Sequence, residues 1–224
     1  HGRERIHPNI VYANILVPGQ ELAVHTDVPE FRGLSRKQDP QWLMVAMHHS
    51  GLFDDYRMRI ATGVAWFGHC RGGGEFVFYP DGPYDQPVAL PVRHNTAIVL
   101  DTDSVFHGVD RVSEDRLPMP RLRQGMQLQY DGDGAWSVRD GDARVATYEW
   151  DDLRFSISWK AYCYADLAEE RAVRDHTDDL SRDRAIETLT ADLRRRGRIG
   201  ARPPDTELAL AIIDAYIQFP PPAP

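Results

Sequence analysis

The sequence predicts a mainly β fold, a sandwich or a barrel, followed by a helical segment. Three observations carry that prediction. Short apolar or alternating runs fill the first three quarters of the chain, at the spacing of an all-β domain. Turn residues punctuate them at Pro80-Asp81-Gly82-Pro83, Arg93-His94-Asn95 and Asp131-Gly132-Asp133-Gly134. After about Ala165 the apolar period becomes helical and the segments become charge-rich.

The elements follow in order. Val11 to Val17 and Glu21 to His25 read as two strands of a hairpin across Pro18-Gly19. Trp42 to Met47 is a short apolar run and reads as a buried strand. Thr62 to Phe67, Glu75 to Tyr79, Ala97 to Leu100, Gln124 to Tyr130 and Leu153 to Tyr164 read as further strands. Between the last two, Asp131 to Trp150 reads as an inserted hairpin, with alternation over Ala143 to Tyr148. Gly72-Gly73-Gly74 has no following Lys-Ser/Thr and no helix start, so it is a tight strand entry rather than a phosphate cradle. Helical periods run from Asp166 to Arg174 and from Ser181 to Arg196, the second with Ser181 as N-cap and Gly197 as C-cap. A last helix opens at Asp205-Thr206 and runs through Ile217, ended by Pro220-Pro221-Pro222. The expected division is a β core over residues 1–164 and a helical appendage with a proline-rich tail over 165–224.

Composition narrows the class. A chain of 224 residues fits one domain, or one with an appendage, and 42% hydrophobic residues suffice for an ordinary core. The net charge of -8 argues against a nucleic-acid partner, which calls for a basic face. Arg194-Arg195-Arg196-Gly197-Arg198 is a local basic run, read as a solvated helix end. Two cysteines, Cys70 and Cys163, make no disulfide framework, and reduced thiols in the cytoplasm are expected. No apolar run approaches the roughly 20 residues of a membrane span, and no signal peptide is read. The chain begins at His1, so earlier residues are expected to be missing; oligomeric state is left open.

Two histidines and an aspartate form a candidate metal site. In a strand, residues two apart share a face about 7 Å apart, so His25 and Asp27 can converge on one ion while Thr26 points away. His107 comes from elsewhere, delivered by the alternating run Ala97 to Leu100. An isolated His-x-Asp is weak, since surface pairs of this kind are common. Two imidazoles and a carboxylate on one face leave the opposite face open, the arrangement of non-heme Fe(II) oxygenases. Arg154-Phe155-Ser156 lies on a late strand. The other histidines have simpler readings: His48-His49 in strand-end hydrogen bonding, His94 in a turn, and His69 beside Cys70 without the further ligands a soft metal needs.

The order His-x-Asp, a Gly-Gly strand start, a strand leading to His107-Gly108-Val109, then Arg-x-Ser, resembles the Fe(II)/2-oxoglutarate-dependent dioxygenase superfamily, and most of all its prolyl-hydroxylase-like branch. Tyr12 to Gln20 is similar to the strand and Gly turn before the first ligand there, and Pro91 to Leu100 to the turn and strand before the second histidine. The likeness covers roughly residues 10–164. It implies a double-stranded β-helix (jelly roll) with Fe(II) on His25, Asp27 and His107, 2-oxoglutarate as co-substrate and O₂ as oxidant. It also implies that Arg154 grips the distal carboxylate of 2-oxoglutarate, aided by Ser156 or Ser158, with Asn14 or Tyr12 at the other end. The gap from His107 to Arg154 is longer than in the family, which makes Arg111 a competing anchor. Retention of Asp27 points away from the halogenase branch, where a small residue stands there, and toward hydroxylation, desaturation or oxidative cyclisation.

Substrate is less legible. Trp42, Trp66, Phe67, Phe76 and Tyr79 are pocket walls or core aromatics, and Arg32 and Arg57 are substrate partners or plain surface arginines. The loop from Val28 to Pro40 follows the ligands and is placed to form a lid. A small polar metabolite, such as an amino acid or a natural-product intermediate, is the expected substrate. A prolyl-type protein hydroxylase, a nucleic-acid demethylase and a cupin-like metal-binding protein stay open as alternatives.

Overall fold

The computed structural model describes residues 2–113 and 119–220. Two compact units divide the chain. One comprises residues up to Pro8, Asp27–Ala61 and Ala161–Pro220; the other comprises Asn9–Thr26 and Thr62–Lys160. The first unit thus joins the helical C-terminal residues to Asp27–Ala61 and the end of the last core strand.

The strands are antiparallel wherever their register is defined, and they make three sheets. β1 (Arg5–Leu16), β11 (Arg154–Tyr164), β3 (Ile60–Trp66) and β6 (Thr96–Leu100) form one, in that order. β2 (Leu22–His25), β7 (Phe106–Val109), β4 (Phe76–Tyr79) and β5 (Val88–Leu90) form a second. Both supply one apolar cluster: Val64 and Trp66 from β3 and Ile98 and Leu100 from β6 meet Phe76, Phe78, Leu90 and Val109 from the second sheet. Two sheets sharing one core make a β-sandwich. The expected mainly β architecture is what the chain adopts.

Close packing explains one glycine in this sandwich. β3 and β6 pair from Thr62↔Leu100 to Trp66↔Thr96. On β3, Thr62, Val64 and Trp66 are buried, and Gly63 between them is covered by the Trp159 ring. A Cβ at Gly63 would lie 2.1 Å from that ring, so only a bare backbone fits. Gly63→Ala is expected to cost about 1–3 kcal/mol through overpacking, read as a lower denaturant midpoint at unchanged slope.

Four local expectations are corrected. Trp42 to Met47 lies in helix α1 (Gln41–Ser50), not in a strand. Its buried residues Leu43, Met44, Ala46 and Met47 follow helical spacing, and Gly51 caps it in the left-handed region. A six-residue apolar run fits either element, and Leu, Met and Ala favour the helix. The two strands around Pro18-Gly19 are not a hairpin: β1 and β2 belong to different sheets, and the turn carries the chain between them. That turn is pinned by Gly19 N donating to Val112 O (2.9 Å) and Val112 N donating to Gln20 O (2.9 Å). His107 is not on the run Ala97 to Leu100 either; that run is β6, and His107 sits on β7 in the other sheet.

The fourth correction concerns the insertion. Gln124 to Tyr130 is not a core strand. β8 (Gln127–Gly132), β9 (Ala135–Asp140) and β10 (Ala143–Glu149) form their own sheet in the order β10-β9-β8. Val138 and Tyr148 of this sheet bury themselves with Val17 and Leu153, flanked by Trp136, Leu128, Met126 and Ile15.

The other unit is built on helices. α1 packs with α3 (Arg182–Arg195) and α4 (Asp205–Tyr216), through Leu43, Met44 and Met47, Ala185, Leu189 and Leu193, and Leu208 and Ile212. The period of four on α3 puts one stripe into this core, where each buried leucine contributes about 1.5–3 kcal/mol. Ser181 caps α3 by accepting from Arg184 N, and Gly197 follows its C-cap at φ 67°. Asp166 caps α2 (Leu167–Asp175) by accepting from Glu169 N. Phe31 and Leu34 are buried in the same core, and Arg182 binds Asp39, so the loop from Val28 to Pro40 is anchored at these points. Among the described residues no helix is long and apolar enough to cross a membrane.

Candidate metal centre

The centre starts from one strand pair. β2 and β7 run antiparallel with His25 directly opposite His107, beyond an irregularity that follows Leu22↔Val109. Directly opposed residues on an antiparallel pair bring their side chains together on one face. The two imidazole centroids are accordingly 4.6 Å apart, at 45° to one another. Asp27 follows His25 by two residues. One ligand atom from each of His25, Asp27 and His107 lies within 4.8 Å of the others. Among the described residues no other group of three or more His, Cys, Asp or Glu side chains is so arranged.

Backbone carbonyls orient both rings. His25 Nδ1 lies 2.7 Å from Ala23 O and His107 Nδ1 lies 2.9 Å from Val105 O. A carbonyl only accepts, so Nδ1 is the donor in each ring, which leaves Nε2 as the atom available to a metal. That second bond is the one metal-binding imidazoles ordinarily make; it fixes tautomer and ring direction together. Phe76 flanks His107 at 5.8 Å between ring centroids and buries it. Two imidazoles and one carboxylate fit a divalent transition metal with open positions.

Gly108 makes the approach of β2 to β7 possible. A Cβ there would lie 2.7 Å from Leu22 O and 3.1 Å from Val24 N. Both contacts are backbone, so Gly108→Ala is expected to push β2 away and carry His25 with it. Affinity for a divalent transition metal should fall about 10-fold or more, as it does when the support of a ligand is lost. Competitive titration against a chelator checks this, and unchanged affinity would show that β2 absorbs the displacement. The sequence offered a signal for this residue in His107-Gly108-Val109, but not its reason.

The residues expected to anchor a co-substrate lie on β11 and β1. Arg154, Ser156 and Ser158 alternate with more exposed neighbours, and all three are buried. The Arg154 Nε donates to Gly74 O at 2.7 Å, and Nη1 donates to Ser156 Oγ at 3.3 Å. Its Nη2 is buried and finds no hydrogen-bond partner among the described residues. Burial pushes the Arg154 pKa down to about 10, with Cys70 opposing the shift. Gly74 makes room for this side chain, since a Cβ there would lie 3.0 Å from Arg154 Cδ. Asn14 Nδ2 donates to Ser158 Oγ at 3.1 Å, whereas Tyr12 on the same strand is 39% exposed. The competing Arg111 is solvent-exposed, and its Nε donates to Glu21 at 3.0 Å.

Other candidates find structural roles. Arg32 pairs with Asp178 and lies over the Tyr56 ring. Arg57 is buried. Trp66 and Phe76 are core aromatics, and Trp42 packs on the helical core. His49 accepts from Gln218 N at 3.0 Å, and burial lowers its pKa. Gly73 is a close backbone approach, as read from the sequence: its Cβ would lie 2.0 Å from Arg111 O. Cys70 and Cys163 are free and buried.

No protein-family model matches the chain, and no curated protein sequence does. Among solved structures, it is similar to an oxidoreductase of the 2OG-Fe(II) oxygenase family from Burkholderia pseudomallei, at 14% identity and a TM-score of 0.35, over 71% of this chain and 46% of that one. It is similar to a Pseudomonas putida prolyl-4-hydroxylase at 13% identity and a TM-score of 0.35, over 73% and 54%. An RmlC-like cupin protein from Desulfovibrio desulfuricans matches at 13% identity and a TM-score of 0.28, over 71% and 82%. The chain thus spans about half the length of the two oxygenase structures.

Proposed function

We propose that this protein is an Fe(II)- and 2-oxoglutarate-dependent oxygenase acting on an aliphatic C–H bond of a small metabolite, by hydroxylation, desaturation or oxidative cyclisation. The observation that carries this reading is the pairing of two chemistries in one chain. His25, Asp27 and His107 offer a facial donor set, and Arg154 offers a buried guanidinium whose Nη2 lacks a partner. A buried cation without an anion is costly, and a bidentate carboxylate relieves it. Strand order supports the double-stranded β-helix as the scaffold. With the β8–β10 sheet set aside, β11 becomes the eighth strand, and the two sheets run 1-8-3-6 and 2-7-4-5.

In this reading His25, Asp27 and His107 hold the metal, and Arg154 with Ser156 holds the far carboxylate of 2-oxoglutarate. Asn14 keeps Ser158 oriented on the neighbouring strand. The carbonyls of Ala23 and Val105 hold both imidazoles in the ligating tautomer. Bound iron with its co-substrate supplies the oxidative chemistry, and the protein's part is to position one C–H bond and exclude water.

Anaerobic Fe(II) titration with and without 2-oxoglutarate tests the proposal. A weak visible charge-transfer band is expected only when both are present. Iron binding with no such band would favour a cupin-like metal protein instead. Asp27 also argues against halogenation: no chlorinated product is expected from the unmodified protein at high chloride, because the carboxylate fills the position that a halide needs. Chlorination detected by mass spectrometry would remove Asp27 from the ligand set.

A further inference from the structure

Away from the metal centre, the inserted sheet carries a surface feature that the oxygenase reading does not use. Aromatic rings follow one another in contact across it. Tyr130 and Trp136 have centroids 5.2 Å apart, Trp136 and Trp150 stack at 5.9 Å and 29°, and Trp150 meets Phe155 at 5.3 Å. The first three rings, with Gly134, line a slot of about 370 Å³. Tyr130 is 54% exposed, although a tyrosine of a settled sheet would gain by covering its ring. Its hydroxyl accepts from Gly134 N at 3.2 Å, which ties the ring to the β8–β9 turn.

Charge at the rim decides what the slot suits. Residues 119–152 hold four arginines and seven carboxylates. Three of the four arginines pair with carboxylates of the same segment: Arg139 and Arg144 with Asp131, and Arg123 with Asp140. Arg71 arrives from elsewhere in the same unit and takes Glu149 and Asp152. Asp133 is exposed at the turn, next to Gly134, which lines the slot. Aromatic faces present negative potential, and a neighbouring carboxylate reinforces it. An anion is disfavoured on both counts. With centroids this close, one cation can sit within about 6 Å of more than one ring.

We propose that the slot of Tyr130, Gly134, Trp136 and Trp150 binds a small quaternary ammonium compound, held by the ring faces and steered by Asp133. A quaternary headgroup is favoured over a primary ammonium because it brings methyl surface and little hydration to an apolar lining. The slot is formed within the β8–β9 sheet region and Trp150, and the proposal does not depend on the metal centre.

Isothermal titration of the whole protein with choline, at constant chloride, tests it. The control is 3,3-dimethylbutan-1-ol, which has the same shape without the charge. Saturable choline binding with no comparable binding of the alcohol is expected. Tyr130→Ala should raise the choline Kd about fivefold, and Asp133→Asn about twofold to fivefold. Both positions are exposed, so the fold should survive, and far-UV circular dichroism confirms that. Equal binding of choline and the alcohol would reduce the slot to an apolar crevice and overturn the proposal. So would the absence of choline binding, or wild-type affinity in both variants. A trimethyl-lysine peptide binding more tightly than choline would overturn the assignment to a small molecule.

Discussion

His25→Ala, Asp27→Ala and His107→Ala are each expected to lower iron-dependent turnover by at least about 100-fold, with the fold retained. Losing a partner that merely orients a ligand costs about 10–100-fold, and losing one of three protein ligands should cost no less. The core that holds the sandwich together is Val64, Trp66, Phe76, Val109 and their neighbours, and none of the three ligands belongs to it. His107 is the most buried of the three and packs on Phe76, so His107→Gln serves as a volume control. Metal content after dialysis and the near-ultraviolet spectrum separate loss of metal from loss of fold. Near-normal turnover in any one alanine variant would strike that residue from the site.

The second large effect concerns the two arginines. Arg154→Lys should weaken 2-oxoglutarate binding by about 10-fold to 150-fold, the worth of one charge-assisted hydrogen bond of about 1.5–3 kcal/mol. A lysine is a point charge without a fork, and it loses its proton more readily in a dry site. Arg111→Lys should change little, because Arg111 is exposed and already engaged with Glu21. Thermal shift gives a second readout. Added 2-oxoglutarate should raise the midpoint of the wild-type protein, since it binds only the folded state, and should do so less for Arg154→Lys. If Arg111→Lys loses binding and Arg154→Lys does not, Arg111 is the anchor.

Much of this fold can be read from local pattern. The α3 stripe of Ala185, Leu189 and Leu193 and its Ser181 cap follow directly from residue type and spacing. So does the alternation of Arg154, Ser156 and Ser158 on β11. What escaped the sequence depends on partners distant in the chain. Leu43 to Met47 are apolar in any state, and packing against α3 and α4 adds to the modest helical preference of Leu, Met and Ala. Pro18-Gly19 signals a turn, but not whether the next strand returns to the same sheet. That choice is visible only once β7 and Val112 are in place to receive β2 and the turn. The candidate ligands were legible as residue types in order. The opposition of His25 to His107 was not, because an irregularity between Leu22 and His25 sets the register. The carbonyls that fix the ring tautomers carry no sequence signal at all.

The β8–β10 sheet interrupts the chain between His107 and Arg154. Its core contacts make excising it a poor experiment. Val17 closes β1 at the turn into β2, and Leu153 immediately precedes Arg154; both are sealed by Val138 and Tyr148 of the added sheet. Removing residues 119–152 would therefore bare two large apolar side chains at the thresholds of the strands that carry His25 and Arg154. A shortened chain would need polar replacements at both positions before the deletion, and each replacement alone would unsettle the longer protein. The sheet is thus a cover for both strand entrances, and trimming it calls for changes at Val17 and Leu153 together.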